Sequence, residues 1–159
     1  MSLRAGLEVH LQTSPCPLGA DDVGRAVDAA LDHGRRPGLA VSVVLADDAL
    51  MIELHAEHLD DPTPTDVISF DLGDEDLQLE EASGAPAAEL FVGVEHARRV
   101  AAERGVREER ELALYVVHDV LHLCGFDDHT DEDAAAMRVA ERAVMDALGY
   151  EPDDAPHHM

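Results

Sequence analysis

The stretch His118-Asp119-Val120-Leu121-His122-Leu123-Cys124-Gly125-Phe126-Asp127-Asp128-His129 places two histidines four residues apart, with a glycine three residues after the second. On an α-helix such positions share one face, roughly 40° apart, so both imidazoles can reach one metal ion. Gly125 lets the chain leave the helix through the left-handed conformation. Asp128 or His129 can then turn back as a third ligand. Two ring nitrogens, one further protein donor and a place for water describe a catalytic zinc site rather than a closed structural one. The stretch therefore predicts a metal-dependent hydrolase with one Zn2+ per chain, and nickel or iron suits the same donors. Leu114, Val117, Leu121 and Leu123 surround the pair. Imidazoles buried in so apolar a helix need partners, and the other reading is a satisfied pair of core histidines. Cys124 lies off the shared face if the helix reaches it, which makes it the weaker candidate for a fourth ligand.

Outward from this helix, strand and helix patterns alternate. Leu7–Gln12, Leu39–Leu45, Thr65–Phe70 and Glu89–Val94 read as strands, the second a β-branched run of central type. Asp21 and Asp22 are candidate caps of a helix through Leu31 that ends near Gly34. Further helices are expected over Asp47–Leu59, with Leu50, Leu54 and His58 in line, then over Glu95–Gly105, Arg107–Cys124 and Asp131–Leu148. Gly73–Pro86 reads as a loop with room for a short strand. The expected class is α+β: a single mixed sheet of about four strands covered by helices, with the metal site on a central helix. Residues 1–150 read as one domain and residues 151–159 as a disordered tail, in which His157 and His158 are tail composition.

The chain carries 35 Asp and Glu against 11 basic residues, a net charge of −24, and every basic residue is Arg. Such a surface repels nucleic acid on average and keeps the protein soluble by self-repulsion. Five of the arginines, Arg98, Arg99, Arg104, Arg107 and Arg110, crowd just before the histidine helix. They make either a local basic patch beside the site or a solvated helix face. Two cysteines, Cys16 and Cys124, are too few for a disulfide framework. The start MSLRAGLEVHLQT has no signal-peptide pattern and no apolar run is of membrane-spanning length. A cytoplasmic protein with no membrane partner and no DNA partner is expected.

Three separated segments resemble the YbeY family of bacterial rRNA maturation factors. Pro64-Thr65-Asp66-Val67-Ile68-Ser69-Phe70 is similar to the family's PT(D/N)VLSF strand. Ala88-Glu89-Leu90-Phe91-Val92 stands in place of its GDIVI, and His118 to Asp127 is similar to HGxLHLxGYD. The resemblance runs from about residue 39 to 148. It implies a zinc-dependent endoribonuclease acting on single-stranded RNA in rRNA maturation, including the 16S 3′ end, and in ribosome assembly, with ribosomal proteins as partners.

The family's third histidine falls here on Asp128, with His129 one residue further along. Met137, standing without a gap at the family's later methionine, favours Asp128 as the third ligand, with His129 as the rival. The resemblance thus implies His118, His122 and Asp128 as the metal site. Leu59 occupies the place of a family Arg thought to serve RNA. Asp119 replaces a family Gly; it is a candidate general base beside His118 and His122, as the Glu of HExxH proteases is, or else a solvated helix residue. Arg98 or Arg99 are candidates to offset developing negative charge, and Ser69 and Asp66 to orient substrate. Ser69 and Asp66 equally suit strand-end capping and turn chemistry. Two other readings fit the same residues: a zinc metalloprotease of metzincin-like geometry, and a non-catalytic ribosome-assembly factor with a structural metal.

Overall fold

Val41, Val43 and Val44 favour a pleated backbone because a branched Cβ packs well between neighbouring strands. Val41–Ala46 forms the inner strand β2 of a four-stranded sheet. The computed structural model describes residues 6–13, 18–59, 67–71, 88–126 and 130–150. In chain order the elements are β1 (Leu7–Leu11), α1 (Ala20–His33), β2, α2 (Asp48–Leu59), β3 (Val67–Asp71), β4 (Ala88–Gly93), α3 (Val94–Arg104), α4 (Glu108–Leu123) and α5 (Asp131–Leu148). The strands lie in the order β1-β2-β4-β3. β1, β2 and β4 run parallel, and β3 is antiparallel to β4. The fold is α+β with a mixed sheet, as the element pattern implies. The expected tail and the loop over 73–86 lie outside the described residues.

Register sorts the strand side chains onto two faces. Val43 stands beside Leu90 and Leu45 beside Val92, and with Val41 they join α1, α4 and α5 in the main core. Ala46 and Phe91 turn the other way, where Met51, Leu50 and Leu54 of α2 cover them. Parallel strands need cover on both faces, and the division of helices supplies it.

In α4 every residue from Arg110 to Leu121 is buried except His118. The helix touches α1, α3, α5, β3 and β4, so it must be apolar nearly all round. The run Leu112-Ala113-Leu114-Tyr115-Val116-Val117 meets that need. Arg110, Glu111 and Asp119 are the charged exceptions, and Arg104 Nη1 donates to Glu111 Oε1 at 2.7 Å. One helix start differs from expectation, and the last helix begins at Asp131 as expected. The α1 cap is Gly19, and Asp21 and Asp22 sit in the first turn, where their charge meets the positive helix end. α5 is capped by Thr130, whose Oγ1 accepts from the Asp133 amide at 3.0 Å.

Glu111→Ala removes a buried ion-pair partner of the Arg104 guanidinium, and urea unfolding is expected to show a loss of about 3 kcal/mol. The double change Arg104→Met with Glu111→Leu is expected to recover most of that loss, since an apolar pair needs no charge partner. A single-variant loss below about 1 kcal/mol would count against this role for the ion pair.

Candidate metal centre

The last two turns of α4 carry His118 and His122. His118 interrupts the buried run with a side chain 15% exposed, and His122 is exposed. They are therefore not a pair of core histidines, because one ring is open to solvent. His118 Nδ1 lies 2.5 Å from Oε2 of Glu141, a carboxylate on α5 that is 2% exposed. An ionised carboxylate there accepts from Nδ1 and leaves Nε2 as the ring nitrogen that could bind a metal. A carboxylate holding the far nitrogen is how metal-binding histidines are oriented and made more basic. His122, in the last turn, adds a second imidazole at the negative end of the helix dipole, which favours a cation.

Beyond His122 the helix closes through Gly125, at φ +104, with the Phe126 amide donating to the Leu121 carbonyl at 3.1 Å. This is the left-handed stop expected of the glycine. The turn between α1 and β2 braces the same helix end. Arg36 Nη1 donates to the Leu123 carbonyl at 3.0 Å, taking up one of the carbonyls a helix end leaves over. A Cβ placed on Gly34 falls 2.4 Å from both Cβ and Sγ of Cys124. Gly34 itself has φ −82, so glycine is needed there for close approach and not for backbone conformation. His33 and Phe126 stack loosely, their ring centroids 6.2 Å apart. Burial pushes the Cys124 thiol up, and Arg36 pulls it partly back. A thiol kept protonated is a poor ligand, in keeping with its place off the histidine face.

Among the described residues no third His, Cys, Asp or Glu joins the pair. Asp128 and His129 lie outside the described residues, as does Asp66. The donors that are described fit a divalent metal, since one imidazole is oriented by a buried carboxylate and the other opens to solvent on the same face.

Two readings of the sequence are corrected. Asp119 is not a solvated helix residue: it is 3% exposed, on the packed side of α4. The basic stretch is not an open patch either. Arg98 pairs with Glu108 at 3.0 Å, Arg99 with Asp48 at 2.7 Å and Arg107 with Glu109 at 2.7 Å, while Arg110 is buried. The Asp48 carboxylate is also the main reason the Arg99 guanidinium holds its proton more firmly than usual. Ser69 lies in β3 opposite Leu90, and β3 touches α4. Leu59 ends α2.

Sequence reasoning missed Glu141, Arg36 and Gly34. Glu141 had a readable signal, a lone acid on the α5 stripe of Met137, Val144, Met145 and Leu148. Arg36 and Gly34 had none, because their contacts join segments far apart in the chain.

Gly34→Ala forces Cys124 to shift and is expected to lower stability by about 2 kcal/mol in urea unfolding. The neighbouring Arg35→Gly is expected to act oppositely. Arg35 is left-handed at φ 65, and relieving it gains up to about 1 kcal/mol. Equal effects of the two changes would remove close approach as the reason for Gly34.

A family model described as Endoribonuclease YbeY matches residues 19–149. Proteins of that name include one from Symbiobacterium thermophilum, 35% identical over 132 residues, covering 80% of this chain and 85% of its own. Another, from Carboxydothermus hydrogenoformans, is 35% identical over 129 residues, covering 81% and 85%. The solution structure of TM1509 from Thermotoga maritima superposes with a TM-score of 0.62 at 20% identity, covering 94% of this chain and 96% of that one. At that identity the likeness is one of fold.

Proposed function

The chain belongs to the YbeY endoribonuclease family, and on that premise we propose that it is a zinc-dependent endoribonuclease. Its substrate is single-stranded RNA, cleaved during rRNA maturation at the 16S 3′ end. In this reading it works in the cytoplasm and docks on ribosomal proteins during ribosome assembly. The family assigns the reaction class, hydrolysis within an RNA chain.

The observation that carries the metal reading is the buried Glu141 carboxylate on His118 Nδ1. It aligns one imidazole and fixes its tautomer before any ligand arrives, so less order must be created on binding. In this reading His122 is the second ligand, and Asp128, ahead of His129, the third. When bound, the metal supplies Lewis acidity, making water nucleophilic near neutral pH and withdrawing charge from a phosphoryl oxygen. Asp66 and Ser69 orient substrate in this reading. Arg98 and Arg99 are already paired with Glu108 and Asp48, which leaves them structural ion pairs and not substrate cations in this reading. Asp119, closed off from solvent, is not needed as the base.

Elemental analysis of purified variants tests the ligand set. Wild type is expected to hold one zinc, His122→Ala and Asp128→Ala to lose it, and His129→Ala to keep it. Glu141→Gln is expected to weaken metal affinity by about 10- to 100-fold while the fold persists. Cleavage of a single-stranded RNA should fall in the same order. RNA cleavage that survives complete chelation would overturn the metal reading.

A further inference from the structure

A polyanion meets a difficulty on this chain, whose net charge is −24. Among the described residues the arginines before the histidine helix are committed to Glu108, Asp48, Glu111 and Glu109, or buried. Arg25 reaches Asp22 and the Leu148 carbonyl, and Arg36 the Leu123 carbonyl. Arg138 and Arg142, both exposed on α5, have no such commitment among the described residues. Arg35, exposed on the turn after α1, is likewise uncommitted but stands alone.

The middle of α5 is also the place where the acidic surface is interrupted. From Ala134 to Met145 the only carboxylate is Glu141, which is buried against His118. Between the two arginines Val139 is 71% exposed, so no described element covers this side of the helix. Arg138 and Arg142 are one turn apart, with Cβ atoms about 6 Å from one another, a span suited to successive phosphates of an extended strand. Arg142 follows Glu141 directly and Arg138 precedes it by three residues. The pair therefore lies within about a turn of the residue that orients the metal-binding histidine.

We propose that Arg138 and Arg142 seat the phosphate backbone of the RNA on α5, beside the metal centre. This inference rests on the endoribonuclease reading. It assigns the α5 arginines, rather than the paired Arg98 and Arg99, as the cations that retain substrate. Phosphate contacts of this kind give affinity without sequence preference and make binding salt-dependent.

The test is anisotropy of a fluorescein-labelled single-stranded RNA dodecamer with the full-length, zinc-supplemented protein. It is read on ice, where a gel shows the RNA intact, and is followed by cleavage kinetics at working temperature. Arg138→Gln with Arg142→Gln is expected to raise Kd and KM about tenfold with kcat little changed, and to flatten the salt slope by about 1.4. Arg98→Gln with Arg99→Gln should shift Kd by less than about twofold, and circular dichroism checks that both proteins fold. If instead the α3 pair carries the loss, or neither pair does, the assignment is overturned. It is also overturned if polyglutamate matches RNA in affinity and loses it in the same variant, which would make the face a dock for an acidic protein. A wild type that neither binds nor cleaves RNA removes the endoribonuclease reading and this inference together. A wild type that cleaves, beside an α5 variant that equals it in Kd, KM and salt slope, removes this inference alone.

Discussion

The bond between the Glu141 carboxylate and His118 Nδ1 ties the two halves of the candidate site together across 23 residues of chain. A carboxylate that is 2% exposed is costly to bury unless a donor meets it. Here the donor is an imidazole that itself needs a fixed orientation. The pair is thus a constraint on packing as much as an interaction. α5 must return against α4 in one register, and the features around the loop serve that return. Gly125 ends α4 in the left-handed conformation, and Thr130 starts α5 with a side-chain cap. A slip of one residue in either helix would turn Glu141 about 100° away and leave both polar groups without each other.

The rest of the fold makes α4 immobile enough for that register to matter. The parallel strands β1, β2 and β4 require helices on both faces, and α4 occupies the centre of the thicker side, against α1, α3 and α5. Its C-terminal end, where the histidines sit, is held a second time by the turn after α1. Arg36 takes the Leu123 carbonyl, Gly34 lets Cys124 approach, and His33 meets Phe126. The two histidines are thereby fixed on a rigid element. Such support is usual in metal sites that must admit substrate.

Electrostatics divide along the same lines. Most arginines of the α3–α4 region are spent on keeping acidic neighbours in place, and the Arg104–Glu111 pair does so inside the protein. The acidic surplus left outside keeps anions at a distance. What matters for a polyanionic substrate is where that surplus is locally interrupted, and the uncommitted arginines of α5 mark such a place.

The amino-acid sequence by itself determined the class of the fold and the two candidate ligands. Periodicity is a local property, so the β-branched run around Val43, the apolar turns before His118 and the glycine stop at Gly125 could all be read in place. The spacing of His118 and His122 is likewise a fact of one helix. Tertiary structure alone decided which acid meets which base. Glu141 against His118, Arg99 against Asp48, Arg36 against the Leu123 carbonyl and Gly34 against Cys124 join positions that no local pattern connects. For that reason a cluster of arginines that read as a candidate basic patch became a set of ion pairs, most of them at the surface, and Asp119 proved buried. Charge and burial depend on what packs across the gap between elements, and spacing along the chain carries almost no information about that.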